Sequence, residues 1–153
     1  MRYIEAPNSY DDENTANSIF LAGGITGCPN WQKEMRGLLS ETNLLLLNPR
    51  RDDFPIGDPD AASIQITWEY NALRAAAAIL FWFPCETICP IVLYELGAWS
   101  MTDKLMFVGV HPGYQRRQDV EIQTKLARPD IHITTSLNSL AGQVKQYLKG
   151  WGL

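Results

Sequence analysis

The chain has 153 residues, 46% of them hydrophobic, 10% aromatic and 20% charged, which fits one globular domain spanning residues 1–153. Thirteen Lys and Arg against 17 Asp and Glu leave a net charge of −4 with no run of like charge, so an electrostatic grip on a nucleic-acid polymer or an acidic membrane is disfavoured. No apolar stretch reaches the ~18 residues of a membrane span, the start Met1-Arg2-Tyr3-Ile4-Glu5 runs into polar sequence, and three cysteines (Cys28, Cys85, Cys89) imply no disulfide framework, so a soluble cytoplasmic protein is expected.

Residues 5–17 are polar and rich in turn formers, an N-terminal arm between a short candidate strand at Tyr3-Ile4 and the first strong apolar run. That run, Ser18-Ile19-Phe20-Leu21-Ala22, reads as a buried strand ending in Gly23-Gly24. Residues 29–39 carry helical spacing (Trp31, Met35, Leu38, Leu39), and Leu44-Leu45-Leu46-Leu47 is a strand apolar on both faces. The pattern recurs with a helix over 64–78, a strand Ile79-Leu80-Phe81-Trp82-Phe83 stopped by Pro84, and a helix from Pro90 to about Met101, where the missing N–H of proline costs nothing. A strand over 105–110, a short helix over 119–126, a strand at Ile131-His132-Ile133-Thr134 and a closing helix over 137–149 complete the chain. Apolar strands alternating with amphipathic helices predict a three-layer α/β sandwich around a five-stranded parallel sheet. Ligands in such sheets bind outside the carboxyl ends of the strands, so the residues after each strand are the place to look.

Those junctions are Gly23-Gly24-Ile25-Thr26-Gly27, Asn48-Pro49-Arg50-Arg51-Asp52-Asp53, Pro84-Cys85-Glu86-Thr87 and residues 111–117 from His111 to Arg117. The glycine loop is neither a GxGxxG fingerprint nor a P-loop, which argues against a dinucleotide or triphosphate cradle. Gly23-Gly24 nevertheless leaves backbone N–H groups uncovered, and the following helix offers its N-terminus to a sugar or a monophosphate. Arg50 and Arg51 either clamp a phosphate or pair with Asp52 and Asp53.

Glu95 is the most informative carboxylate, an acid between Ile91-Val92-Leu93-Tyr94 and Leu96-Gly97-Ala98-Trp99 on the helix entered through Pro90. The helix dipole favours its ionised form and partial burial opposes it, the balance of a nucleophilic or general-base carboxylate; capping by backbone or pairing with an arginine is the alternative. Glu69, on the preceding helix with Ile66 and Leu73 at helical spacing, either points toward the sheet edge or lies on the surface. Two carboxylates in one pocket suit glycosyl chemistry, one meeting an oxocarbenium-like anomeric carbon and the other handling a proton or a sugar hydroxyl. Cys85-x3-Cys89 has no second cysteine pair and neither His111 nor His132 stands near it, so zinc and redox chemistry are disfavoured, and no Gly-x-Ser-x-Gly is present. Trp31, Trp68, Trp82 and Trp99 read mainly as core, with one or two free to stack on a flat base.

Phe20-Leu21-Ala22-Gly23-Gly24-Ile25-Thr26-Gly27, Asn48-Pro49-Arg50-Arg51, Trp68-Glu69, Ile79-Leu80-Phe81-Trp82-Phe83-Pro84 and Leu93-Tyr94-Glu95-Leu96-Gly97 resemble, in order and spacing over about residues 18–125, the nucleoside 2-deoxyribosyltransferase-like proteins. The resemblance implies a flavodoxin-like fold, Glu95 as the nucleophile of a covalent deoxyribosyl intermediate, and Glu69 in place of the family's helical aspartate. It departs at Cys89, where better-known members carry an aspartate six residues before the nucleophile, with Glu86 as a substitute, and at Ala76-Ala77, where many relatives have Ala-Asp. Family members borrow site residues from neighbouring subunits, which implies a homo-oligomer in which residues 114–119 complete a partner's pocket.

The reading that follows is a transferase moving 2-deoxyribose between nucleobases, needing no cofactor or metal and taking a nucleoside or nucleotide and a free base as partners. In it the Gly23-Gly24-Ile25 loop lines the sugar site, Trp31, Trp82 or Phe83 lies by the base, and Glu69 or Glu86 assists base departure. An N-glycoside hydrolase, favoured if Arg50 or Arg51 holds a 5′-phosphate, and a non-catalytic nucleotide-binding module are the alternatives.

Overall fold

The computed structural model describes residues 1–11 and 13–150. Five strands, Arg2–Glu5 (β1), Ser18–Gly23 (β2), Leu45–Asn48 (β3), Ala78–Phe83 (β4) and Leu105–Val110 (β5), form an all-parallel sheet in the order β1-β3-β2-β4-β5. Helices Trp31–Leu38 (α1), Ala61–Ala75 (α2), Pro90–Ser100 (α3), Arg117–Ala127 (α4) and Leu137–Gly150 (α5) connect or follow them.

Strands β2, β3 and β4 are buried along their whole length, and their side chains divide with the two-residue period of a pleated strand. Phe20, Leu47, Ile79, Phe81 and Val108 face one layer, where Trp68 and Ala72 of α2, Leu96 of α3 and Val120 of α4 pack. Ile19, Leu21, Leu46, Leu80 and Phe107 face the other, against Trp31 and Met35 of α1 and Leu140 and Val144 of α5. The molecule is therefore a three-layer α/β sandwich. Without β1, the order β3-β2-β4-β5 is that of the first four strands of a flavodoxin-like sheet.

One strand is exchanged relative to the sequence reading. Residues 131–134 stand beside β5, where a fifth flavodoxin-like strand belongs, but form a single parallel bridge, Gly109 to Thr134. The Val110 N–H donates to Thr134 O at 2.8 Å and the Thr134 N–H to Val108 O at 3.0 Å, whereas the Ile131 N–H is already turned back onto Arg128 O. The missing place in the count is taken at the opposite edge, where the Tyr3-Ile4 segment extends to a four-residue strand in register with Leu45–Asn48. Helix α2 also lies three residues earlier than its apolar spacing predicts, because Ala76 is extended (ψ 141°) and ends it.

The chain leaves β2 through α1 toward β3 and leaves β4 through α3 toward β5, so the connections diverge between β2 and β4. The carboxyl ends of this pair, where Gly23 lies opposite Trp82, form the switch point at which an open α/β sheet leaves a crevice.

Candidate active site

A turn without side chains begins the site. A Cβ on Gly23 would run into the Trp31 indole and stand 2.6 Å from Trp82 O; one on Gly24 would lie 2.8 Å from Pro84 Cγ and 3.0 Å from the sulfurs of Cys28 and Cys89. Only glycine fits at either place. The turn is also pinned from behind: Trp31 Nε1 donates to Gly24 O at 2.8 Å and Gln32 Nε2 to the same oxygen at 3.3 Å. Arg50 reaches across from the end of β3, donating to Pro29 O at 2.8 Å, Cys28 O at 3.1 Å and Gln32 Oε1 at 3.4 Å.

In front of this turn lies a cavity of about 250 Å3, a little below the ~300–1,000 Å3 common for small-molecule sites. Its floor is Phe20, Ala22, Gly23, Gly24 and Ile25, its near wall Pro49, and its far wall Thr87, Cys89 and the first turn of α3. Glu69 from α2 and Glu95 from α3 both line it. Apart from these two acids, Cys89 and the hydroxyls of Thr26 and Thr87, the lining side chains are apolar.

The two carboxyls differ in environment. Burial, and after it the negative charge of Glu69, pushes Glu95 up to about 8. Glu95 is the sixth residue of α3, counting from Pro90, beyond the first turn in which a helix dipole is effective; burial therefore outweighs the dipole that the sequence reading set against it. Glu69 is raised by burial but opposed by a hydrogen bond from Gln65 Nε2 to its Oε1 at 2.8 Å. Of the two acids, Glu95 keeps its proton to higher pH and Glu69 is the more readily ionised.

Of the residues singled out from sequence, Gly23, Gly24, Ile25, Glu69 and Glu95 meet in this cavity. Others do not. Trp31 and Phe83 are buried in the core on opposite faces of the sheet, Phe83 against the Tyr114 ring at 5.2 Å. Trp82 is likewise buried, edge-on to His111. Arg50 is engaged by carbonyls, and Arg51 lies 3.9 Å from Asp53 with its guanidinium 5.5 Å from the Phe54 ring centre. Glu86 is exposed in the loop between β4 and α3 and is not among the lining residues. The helix after the glycine turn does not present its N-terminus to the cavity either: Asn30 caps α1, and Pro90, Ile91 and Val92 of α3 supply the helix end. Tyr114, the first residue of the segment assigned to a partner's pocket, is buried and donates to Ile88 O at 2.5 Å within its own chain.

Sequence reasoning missed Gln65 altogether, named Pro49 only within the junction after β3, and marked Cys89 only as a departure from the family pattern. Cys89 adopts φ 51° and ψ 58°, the one non-glycine residue with positive φ among the described residues, and it precedes Pro90. Such a conformation is costly before proline, and it turns the thiol to the cavity wall. Burial first, then Cys28, pushes that thiol up to about 11, so it stays neutral and does not reproduce a carboxylate. Among the described residues no group of three or more His, Cys, Asp and Glu is arranged to hold a metal ion, and no helix is long and apolar enough to cross a membrane.

Fold and site together define an α/β protein with a two-carboxylate cavity at the switch point of its parallel sheet. The family described as nucleoside 2-deoxyribosyltransferase like matches residues 16–114, a span containing every residue that lines the cavity, and the chain belongs to this family. No curated protein matches the chain.

Proposed function

We propose that the protein cleaves the N-glycosidic bond of a 2′-deoxynucleoside and transfers the sugar to a second nucleobase. The observation that carries this reading is the convergence of Glu69 and Glu95, from two helices, on one small cavity in a chain of this family. In the reaction the Glu95 proton passes to the Glu69 carboxylate; ionised Glu95 attacks C1′ from one face, the C1′–O bond to its carboxylate forming as the C1′–N bond breaks, and the departing base takes the proton from Glu69. A nitrogen of the incoming base then attacks C1′ as its proton passes to Glu69, releasing the Glu95 carboxylate and loading the sugar onto the new base. The bare backbone of Gly23-Gly24 allows the sugar close approach, and the apolar lining of Phe20, Ile25 and Val92 suits a base and a sugar lacking one hydroxyl.

The neutral Cys89 thiol at the cavity wall favours one other reading, a pocket that holds a nucleotide without turnover. Chromatography of a deoxynucleoside incubated with a different free base separates them. Swapped nucleoside, abolished by Glu95→Ala in a protein that still folds, supports the transferase; free base alone identifies a hydrolase; thermal stabilisation by the nucleotide with no product, unaffected by Glu95→Gln, identifies a binder.

A further inference from the structure

Gln65 lies one helical turn before Glu69 on α2, at the i,i+4 spacing that stacks two side chains on one face. Its Nε2 donates to Glu69 Oε1 at 2.8 Å and to Pro49 O at 2.6 Å. Both partners are acceptors, so the amide has one sensible orientation: turned over, it would set its own oxygen against a carboxylate and a carbonyl. The cost of that orientation is visible, because Gln65 Oε1 is buried without a donor. An arrangement that leaves an acceptor unsatisfied in order to aim a donor at a cavity carboxylate asks for a reason.

We infer that Gln65 is a positioning residue: anchored on the Pro49 carbonyl, its amide fixes the Glu69 carboxylate at the cavity wall and, as a donor, favours the charged form of that group. In calling it a positioning residue for catalysis the inference rests on the reaction proposed above; the effect on Glu69 is a property of the free protein. The other titratable groups at the cavity are Glu95 and Cys89, both from α3, while the β2 and β3 loops contribute Gly23, Gly24, Ile25, Thr26 and Pro49. Cys28 lies behind Gly24, and Arg51 is turned toward Asp53 and Phe54. Gln65 is thus the hydrogen-bond donor that offsets the burial of Glu69, and the charge it preserves is the one that raises Glu95. The amide thereby favours Glu69 over Glu95 as the acid that ionises first.

Carbon-13 NMR of the glutamate carboxyls in the free protein tests this without substrate. In Gln65→Leu the Glu69 midpoint should move up and, with less negative charge beside it, the Glu95 midpoint should move down; an unmoved or lowered Glu69 midpoint overturns the inference. A tether serving only to hold Pro49 to α2 would lower the melting temperature and leave both midpoints in place. The unsubstituted protein supplies a second readout in case the variant does not fold: the Gln65 side-chain amide signals should follow the Glu69 titration, and signals indifferent to it overturn the inference. In the transfer assay Gln65→Leu should lower kcat by about tenfold or more with little change in KM. Absence of turnover in the unsubstituted protein would remove the proposed reaction and leave the carboxyl titrations to decide the role of Gln65.

Discussion

Replacing Glu95 by Gln should stabilise the folded chain, and by more as the pH rises. Burial and the charge of Glu69 lift this carboxyl from its ordinary 4.5 to about 8. The native state therefore keeps a proton that the unfolded chain loses above its ordinary value, so the stability of the unsubstituted protein falls as pH climbs from about 4.5 to about 8 and then levels off. Three and a half pH units at ~1.36 kcal/mol each bound the effect at roughly 5 kcal/mol near pH 9, and at pH 5 it is below about 1 kcal/mol. Glutamine has no proton to lose and escapes the penalty. At about 2–4 °C per kcal/mol for a chain of this size, the melting temperature of Glu95→Gln should exceed that of the parent by about 10–20 °C at pH 9 and by no more than about 3 °C at pH 5. Thermal denaturation followed by circular dichroism across this range measures it. A gain independent of pH, or one that shrinks as pH rises, would refute the reasoning and return Glu95 to an ionised, dipole-stabilised state.

Glu69→Gln removes the second cause of the Glu95 shift while leaving the burial, so the Glu95 titration, followed by carboxyl NMR, should move below about 8 yet stay above 4.5. Gly23→Ala should destabilise by about 1–3 kcal/mol in denaturant unfolding, because the new methyl meets the Trp82 carbonyl and the Trp31 indole, neither of which can retreat from the core. Arg50→Ala should lower stability by about 1–3 kcal/mol through lost charge-assisted bonds to the Pro29 and Cys28 carbonyls. It should change turnover of a nucleoside and of its 5′-phosphate by the same factor; selective loss on the phosphate would make Arg50 a phosphate ligand after all.

The alternation of apolar runs and amphipathic helices was enough to read the layers and the parallel sheet, since strands buried on both faces leave few other packings. It did not separate the two sheet edges. Ile131 and Ile133 have strand character, but a turn beginning at Arg128 takes the backbone donor the ladder needs; Tyr3-Ile4 looks weaker and pairs fully because Leu45–Asn48 offers it a free edge. In the site, Gly23-Gly24 and an acid inside an apolar helix were legible because each violates a local rule unless a cavity explains it. Which face of a strand Trp31 and Phe83 would meet, and that Arg50 would hydrogen-bond carbonyls 21 and 22 residues away, depend on tertiary contacts with no local trace. Glu95 lies five positions after Pro90, beyond the reach of the helix dipole, which acts at the helix end, whereas burial acts over the whole helix.

The central claim is that Glu95 becomes covalently bonded to the sugar. Mass spectrometry of the protein quenched in acid during turnover of a deoxynucleoside measures this directly. The account predicts a mass increase of one deoxyribosyl group, confined to the peptide carrying Glu95 and absent from Glu95→Gln. Turnover with no adduct on that peptide, or an adduct carried by Glu69 instead, would contradict it.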